Sequence, residues 1–213
     1  LYTLAYVLLI IFAFIMLMPF VWMLLSTFKA QRELFEFPPK FLPKKFSLNN
    51  SIEAFKTVPF VRYYLNSLLV TFTSVVLNLF SSSLAGFAFA KYRFRGREII
   101  FKVILGAMMI PFPVTIIPLY IMVYDLGLVD SYFALIMTGS VSIFGTFLMR
   151  QFIVNIPDDL LDAARIDGSS EFGTYVRIIL PNLRAPLSAL AVFSFMSTWN
   201  AFLWPLLVVN DDR

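Results

Sequence analysis

Residues that could carry chemistry are few in this sequence. The chain of 213 residues contains neither His nor Cys, which excludes imidazole bases, thiolate nucleophiles and the usual nitrogen and sulfur ligands of zinc. Residues 168–174 (GSSEFGT) approach the spacing of a phosphate-binding loop, but Thr174 stands where that loop needs its Lys. The sequence therefore predicts no catalytic residue, no metal site and no nucleotide site in this chain.

Polar residues gather in one stretch, 150–186, whose first half predicts a short helix. Pro157 suits the first helical position, and the acids that follow it, Asp158 and Asp159, suit the positive end of the helix dipole. The helix is expected to continue to Ile166 and to stop at Gly168, because glycine tolerates the left-handed conformation at a helix end.

The second half of the stretch predicts another helix, over 171–180, capped by Ser169 or Ser170 and ended by Pro181. Helical spacing assigns four residues to one apolar face: Phe172, Tyr175, Val176 and Ile179. These features fit two interpretations, an elbow that packs under a helical bundle and a docking knob for a cytoplasmic partner.

The remainder of the chain is apolar enough for a membrane protein. Hydrophobic residues make up 60% and charged residues 14%, whereas globular proteins carry about 25% charged residues. Five charge-free stretches are long enough to cross a bilayer, and they are 4–28, 66–90, 103–124, 132–149 and 187–210. Since these stretches are continuously apolar and do not alternate as barrel strands do, they predict an all-α, polytopic transmembrane helical bundle.

The net charge of +4 comes from the links between these stretches, so it does not indicate a nucleic-acid partner. The link 91–98 (KYRFRGRE) contains four cations and the link 125–131 contains none, which places 91–98 in the cytoplasm. The link from Lys29 to Arg62 carries seven cations on the opposite side, so the total number of cations on each side does not determine the orientation.

The five spans contain no ionisable residue apart from Tyr, which argues against a carrier driven by protons or sodium. Pro111, Pro113 and Pro118 are expected to bend or interrupt the third span. The residues that could line a translocation pathway are Asn66, Pro111, Pro113, Trp199 and Asn200. A structural kink and packing between helices remain open as alternatives for these positions.

Residues 162–168 (DAARIDG), followed by Phe172, Ile178 and the pair Leu180 and Pro181, closely resemble the EAA loop of ABC importer permeases. Further segments are similar to the carbohydrate, MalG-like branch in the same order, among them AKYRFRGRE, MIPFPVTIIPLY and STWNAFLWPL. One departure is Asp162, where the family usually has Glu.

The resemblance implies the type I ABC importer permease fold, with one transmembrane permease domain over 1–213 and a final helix expected after 213. It also implies that residues 150–186 form a cytoplasmic EAA-type coupling loop. The resemblance assigns ATPase docking to Asp158, Leu160, Leu161, Asp162, Ala163, Ala164, Asp167 and Gly168.

The same resemblance implies a non-catalytic subunit that forms half of a pathway for a sugar or oligosaccharide. Its expected partners are two cytoplasmic ABC ATPase subunits, which bind ATP and Mg, a second homologous permease subunit, an extracytoplasmic solute-binding protein and the lipid of a bacterial or archaeal cell membrane. The chain itself is expected to bind no cofactor. The alternatives are a permease for a polyol or glycerol phosphate and a membrane channel outside the ABC class.

Overall fold

The computed structural model describes residues 2–210, in which every regular element is helical. This confirms the prediction of an all-α chain. The α-helices are α1 (Tyr2–Thr27), α2 (Gln31–Leu34), α3 (Asn49–Thr57), α4 (Phe60–Lys91), α5 (Arg97–Ala107), α6 (Phe112–Asp125), α7 (Tyr132–Gly139), α8 (Ile143–Val154), α9 (Asp158–Ile166), α10 (Glu171–Thr174), α11 (Leu180–Asn182), α12 (Arg184–Trp199) and α13 (Leu203–Val208).

Membrane-crossing length is reached by three helical stretches within the described range: α1, α4 and Tyr132–Val154. Two bent pairs raise this number to five if each pair is one span: α5 with α6, bent by 102°, and 171–182 with α12, bent by 82°. The predicted limits of the five spans and the single domain stay predictions, and the helix expected after 213 lies outside the described residues.

The predicted interruption of the third span is confirmed at its prolines. The 102° bend falls between Ala107 and Phe112. Pro111 is the N-cap of α6 and Pro113 lies in its first turn, where a missing N–H costs no hydrogen bond. Pro118 is accommodated inside α6, so the two upstream prolines mark the break.

The described residues form two compact units, one up to Leu65 and one from Asn66 onward. In the first unit, the Lys29 side chain is buried, donates to the Lys40 carbonyl and lies 3.9 Å from the Trp22 ring centroid. Asn50 donates to the Lys29 carbonyl at 2.7 Å. Lys40 and Lys44 both bond the Glu36 carboxylate and hold its pKa below the usual range. These contacts order the segment that follows α1.

The second unit has two apolar cores. One joins α4, α8, α9 and the residues after α10, with Phe87, Met149, Leu161, Tyr175 and Ile179 among its buried members. The other joins α6, α7 and α13 around Val123, Ala134 and Trp204. The Trp204 indole donates to the Ala134 carbonyl at 3.0 Å, which satisfies the polar edge of a buried ring.

The fourth predicted span is not one continuous helix, because α7 ends at Gly139 and α8 begins at Ile143. We call residues 140–142 the α7–α8 break. The hydroxyl of Ser142 caps α8 by accepting from the Gly145 N–H. Backbone groups freed inside a membrane protein need partners from within the protein.

Side chains of α4 supply those partners. The Ser74 hydroxyl donates to the Ile136 carbonyl at 3.4 Å, the Asn78 amide donates to the Gly139 carbonyl at 3.3 Å, and the Ser81 hydroxyl donates to the Ser140 carbonyl at 2.7 Å. Ser82 donates in turn to the Asn78 side-chain oxygen at 2.8 Å. The polar side of α4 therefore stabilises the irregular backbone beside it.

Replacing Asn78 by alanine is expected to lower the free energy of unfolding by about 1–2 kcal/mol, because it leaves the partly buried Gly139 carbonyl and the buried Ser82 hydroxyl without these partners. The melting temperature of the purified chain in detergent measures this. Asn182→Ala is the matched control, since Asn182 is exposed and bonds only the Ile178 carbonyl of its own turn. Equal losses for the two variants would contradict the assigned role of Asn78.

Candidate functional site

Helix α9 lies where the sequence predicts it, at Asp158–Ile166. Pro157 is its N-cap and not its first helical residue. Gly168 adopts φ +77° at the other end, where its N–H donates to the Arg165 carbonyl at 3.0 Å and the Ser169 N–H donates to the Ala164 carbonyl at 2.9 Å. Since these bonds complete the last turn, the predicted glycine stop is confirmed.

The predicted docking residues of α9 divide between two faces. Leu161 and Ala164 are 2% and 9% exposed and belong to the core of the chain, so they hold the helix in place and are not available to another protein. The other six are exposed: Asp158, Leu160, Asp162, Ala163, Asp167 and Gly168.

The predicted docking residues do not include Ile166, whose side chain is 86% exposed at the end of α9. An apolar residue immediately before an Asp-Gly stop is a signal that could have identified it, because the chain turns away there and leaves it uncovered. Ile166 and Leu160 give the exposed face an apolar component among its carboxylates.

The prediction that Pro181 ends the second helix is wrong. Residues Tyr175–Ile179 form a π-helical turn after α10, and α11 continues to Asn182. Pro181 lies directly after the π-helical turn, and the helix passes through it and ends one residue later, at Asn182. The wider π turn also shifts the helical phase, so Tyr175 and Ile179 are buried while Phe172 and Val176 are exposed.

Three carboxylates of the coupling loop are engaged within the chain. Asp158 forms an ion pair with Lys91 at 2.6 Å, Asp162 with Arg165 at 3.1 Å, and Glu171 with Arg165 at 3.0 Å. The hydrogen bond and charge of Lys91 hold the pKa of Asp158 below its ordinary 3.8. The stability from a lowered carboxyl pKa is present above the unfolded value and lost only on acidification below it, so this pair persists at neutral pH.

The link 91–98 lies against the coupling loop. Lys91 donates to the Ile156 carbonyl as well as to Asp158, and the Tyr92 hydroxyl donates to Glu171. Burial, followed by this hydrogen bond, raises the pKa of Tyr92 from 10.0 to about 12. The two segments therefore share one side of the second unit, as expected of two segments that were both predicted to be cytoplasmic.

Tyr175 anchors the loop more deeply. Its side chain is 1% exposed, and its hydroxyl lies 2.7 Å from that of Ser83 on α4. Its ring stacks on Phe87 with centroids 5.9 Å apart. These contacts fix the π-helical turn of the loop against α4 in the core of the second unit.

A cavity of about 650 Å³ lies where α7 and α12 both end. Its polar lining consists of Thr138, Ser197, Thr198 and Asn200, and its aromatic lining consists of Phe112, Phe202 and Trp204. A second cavity of about 290 Å³ shares Thr138, Ser197 and Thr198 with it and adds Asn78 and Ser194. No charged side chain lines either cavity.

These cavities flank two helix interruptions, the α7–α8 break and residues 200–202 between α12 and α13. Interrupted helices at membrane depth are tolerated where they line a cavity, and transporters use them at the solute site. The arrangement can therefore present hydroxyls, an amide and aromatic rings to a solute without a fixed charge.

Of the residues predicted to line a pathway, the structure places Asn200 on the larger cavity. Asn66 instead accepts a hydrogen bond from the Tyr132 hydroxyl at 2.9 Å, and Trp199 stacks on Phe195 with centroids 5.5 Å apart. Pro111 and Pro113 are exposed at the start of α6, while Phe112 between them reaches the cavity.

The residues predicted to line a pathway do not include Thr138, Ser197 and Thr198, which line both cavities. The nearby Gly139, Ser140 and Ser142 are a signal for an interruption, since glycine and serine favour helix ends. Among residues 2–210, acidic side chains form no group of three or more that could hold a metal ion.

Comparisons with known proteins agree with this geometry. Residues 78–212 match the family described as "Binding-protein-dependent transport system inner membrane component". The chain is 36% identical over 203 residues to the arabinooligosaccharides transport system permease protein AraQ of Halalkalibacterium halodurans, covering 94% of this chain and 73% of that protein.

It is also 37% identical over 155 residues to the sn-glycerol-3-phosphate transport system permease protein UgpE of Shigella flexneri, covering 73% of this chain and 55% of that protein. A crystal structure of a bacterial ABC transporter involved in the import of the acidic polysaccharide alginate superimposes with a TM-score of 0.85 at 25% identity, covering 99% of this chain and 74% of the matched one.

Proposed function

The chain belongs to the family of binding-protein-dependent transport system inner membrane components and is the permease subunit of an ABC importer, and we propose that it passes a neutral oligosaccharide across the membrane. The observation that carries this proposal is the uncharged lining of the two cavities beside the helix interruptions. Hydroxyl and amide side chains can exchange hydrogen bonds with sugar hydroxyls, and aromatic faces can pack on sugar rings.

Charge distinguishes a permease for a neutral sugar from one for an anionic solute. A phosphate or carboxylate solute in a low-dielectric passage needs a cation or a helix N-terminus to replace its water. The lining of both cavities contains neither Lys nor Arg. The positive potential that reaches it is the partial charge at the starts of α6, α8 and α13, which is smaller than one full charge. Similarity to UgpE keeps sn-glycerol-3-phosphate as the second candidate, and the lining favours a neutral sugar over it.

Energy is supplied by partners in this proposal. The exposed face of α9, with Leu160, Asp162, Ala163 and Ile166, docks on one of two cytoplasmic ATPase subunits, which bind ATP and Mg. A second, similar permease completes the pathway, and an extracytoplasmic solute-binding protein delivers the sugar. The chain contributes no catalytic group and binds no cofactor, and the assembly lies in a bacterial or archaeal cell membrane.

The test begins with extraction of the tagged chain from its native membranes in a mild detergent. An ATPase and a second permease are expected to co-purify, and their absence would overturn the importer assignment. The complex is then reconstituted in vesicles with ATP and its binding protein, and uptake of labelled arabinotriose, sn-glycerol-3-phosphate and an alginate trisaccharide is compared. Arabinotriose is the expected solute, and preferential uptake of either anion would contradict the neutral-sugar proposal.

The double variant Ser197→Ala/Thr198→Val is expected to lower arabinotriose uptake about tenfold. Each substitution removes one hydroxyl from the cavity wall, and a hydrogen bond contributes about 0.5–1.5 kcal/mol. The binding-protein-dependent uptake rate in vesicles measures the effect at equal amounts of assembled complex.

Ser188→Ala is the matched control for this double variant. Ser188 is exposed on the same helix α12 and bonds only the Arg184 carbonyl, and it lines neither cavity. Uptake that is equal in all three proteins would show that Ser197 and Thr198 do not contact the solute.

A further inference from the structure

Helix α4 and the residue after it contact the coupling loop at three points, although 67 to 92 residues of chain separate the partners. These points are the pair Lys91 and Asp158, the pair Tyr92 and Glu171, and the pair Ser83 and Tyr175. We call this set the α4 clamp. Asp158 lies before the turn at Gly168, and Glu171 and Tyr175 lie after it, so the clamp attaches to both halves of the loop.

Lys91 is the tightest element of the clamp. Its side chain is 6% exposed, while that of Asp158 is 76% exposed. Removing an ammonium group from water is costly unless acceptors replace the water. The Ile156 carbonyl and the Asp158 carboxylate provide those acceptors, one just before α9 and one in its first turn.

Tyr92 extends the clamp to the far end of α9. Its hydroxyl donates to Glu171, which accepts from Arg165, and Arg165 also donates to Asp162. This chain of hydrogen bonds runs from the end of α4 through α10 to the last turn of α9. The start and the end of α9 are therefore both tied to α4.

The opposite part of α4 reaches the cavity wall. Ser74, Asn78 and Ser81 bond the carbonyls around the α7–α8 break, which lies between the two cavities. At a rise of about 1.5 Å per residue, Ser81 lies about 15 Å and Ser74 about 25 Å along α4 from Lys91. The helix contains no proline between these points, so it can act as a rigid element.

We propose that Lys91 and Tyr92 are positioning residues that attach the coupling loop to α4, so that movement of α9 is passed through α4 to the α7–α8 break and hence to the wall of the cavity. Helix α8 joins the loop to the α7–α8 break along the chain, and α4 adds a second connection through its hydrogen bonds to the carbonyls of Ile136, Gly139 and Ser140. The inference rests on the proposed function, since it assumes that an ATPase moves α9.

The central variant is Lys91→Met/Tyr92→Phe, which removes one charge and one hydroxyl and leaves the length of both side chains nearly unchanged. Arabinotriose imported per ATP hydrolysed is expected to fall about threefold to tenfold, within the range by which residues linking two sites alter coupling. ATP hydrolysis and co-purification of the ATPase are expected to persist, because neither residue lies on the exposed face of α9.

The matched control is Arg95→Met. Arg95 belongs to the same link and carries the same charge, and its side chain makes no ion pair within residues 2–210. Its ratio of uptake to hydrolysis is expected to equal that of the wild type. The single variant Lys91→Arg keeps the positive charge and is expected to retain more of the coupling than Lys91→Met/Tyr92→Phe.

A distance measurement separates transmission of movement from general destabilisation. Because the chain contains no Cys, spin labels can be placed at Asp159→Cys on α9 and Leu84→Cys on α4, which are both exposed. With the clamp intact, this distance is expected to stay constant between nucleotide-free and ATP-bound complexes, because the two helices move together. In Lys91→Met/Tyr92→Phe it is expected to change with nucleotide.

A constant label distance in Lys91→Met/Tyr92→Phe, or an unchanged ratio of uptake to hydrolysis, would overturn the inference. So would an equal loss of coupling in Arg95→Met. These results differ from failure of the proposed function, in which the wild-type complex itself lacks an ATPase or ATP-dependent uptake.

Discussion

Replacing Gly86 by alanine is expected to cost the chain about 3 kcal/mol of stability, the upper part of the usual range for overpacking a core. A Cβ atom at Gly86 would lie 2.6 Å from the Met149 Cβ and 2.9 Å from the Arg150 backbone nitrogen. Backbone atoms and a Cβ cannot rotate away as a side-chain tip can, so α4 and α8 must separate.

Separation of these helices would disturb more than one contact, because α4 and α8 share a core with Leu161 and Tyr175. The Gly86→Ala protein is therefore expected to melt at a clearly lower temperature in detergent and to yield less monodisperse chain. Scanning fluorimetry and size-exclusion chromatography measure the two effects.

Gly106→Ala is the control for Gly86→Ala. Gly106 lies in α5, and a Cβ there would meet no atom within 4 Å. Since alanine is favoured over glycine inside a helix by about 1 kcal/mol, this variant is expected to be neutral or slightly stabilising. Similar behaviour of the two variants would show that close approach at Gly86 is not what limits stability.

Replacing Gly168 by valine is expected to lower uptake about tenfold while the chain still inserts and folds. No atom lies within 4 Å of a Cβ built there, so the effect comes from the backbone. Left-handed geometry costs an L-residue about 1–2 kcal/mol, and a β-branched residue tolerates it least. The turn between α9 and α10 is expected to deform, and the exposed face of α9 with it.

Two other substitutions test whether a loss of uptake comes from backbone strain in general or from strain at Gly168 in particular. Gly127→Val introduces the same kind of strain in the link between α6 and α7, where φ is +66° and no neighbour lies within 4 Å. It is expected to reduce stability by a similar amount but to leave ATP-dependent uptake per folded complex unchanged. Gly168→Asn, which tolerates the left-handed region, is expected to retain most uptake.

These outcomes are read from ATP hydrolysis and arabinotriose uptake at equal amounts of assembled complex. Full uptake in Gly168→Val would refute the role of this turn in coupling. Loss of uptake in Gly127→Val equal to that in Gly168→Val would attribute the effect to general strain.

Local signals in the sequence predict the coupling helix well. The limits of α9 follow from Pro157, two acids and the Asp167-Gly168 stop, all of which act within one or two turns. The cap of α10 is Ser170, one of the two predicted serines, which accepts from the Gly173 N–H. Such features are determined by neighbours along the chain and need no knowledge of the fold.

Tertiary features were not predictable in the same way. The spacing of residues does not show that Asp158 pairs with Lys91, which lies 67 residues away. Continuous hydrophobicity over 132–149 predicted an unbroken span. The side chains that bond the interrupted backbone lie on α4, so residues 132–149 alone do not reveal the break. The π-helical turn likewise altered which residues of 171–180 are buried, because helical spacing assumes an unbroken α-helix.

The uncharged cavity lining has an electrical consequence. One elementary charge that crosses a membrane potential of 100 mV exchanges about 2.3 kcal/mol with the field. A neutral sugar in a passage without ionised side chains carries no such charge. For the neutral sugar proposed here, the membrane voltage therefore performs no work on the solute as it passes these residues, and ATP-driven uptake into vesicles is expected not to depend on an imposed membrane potential.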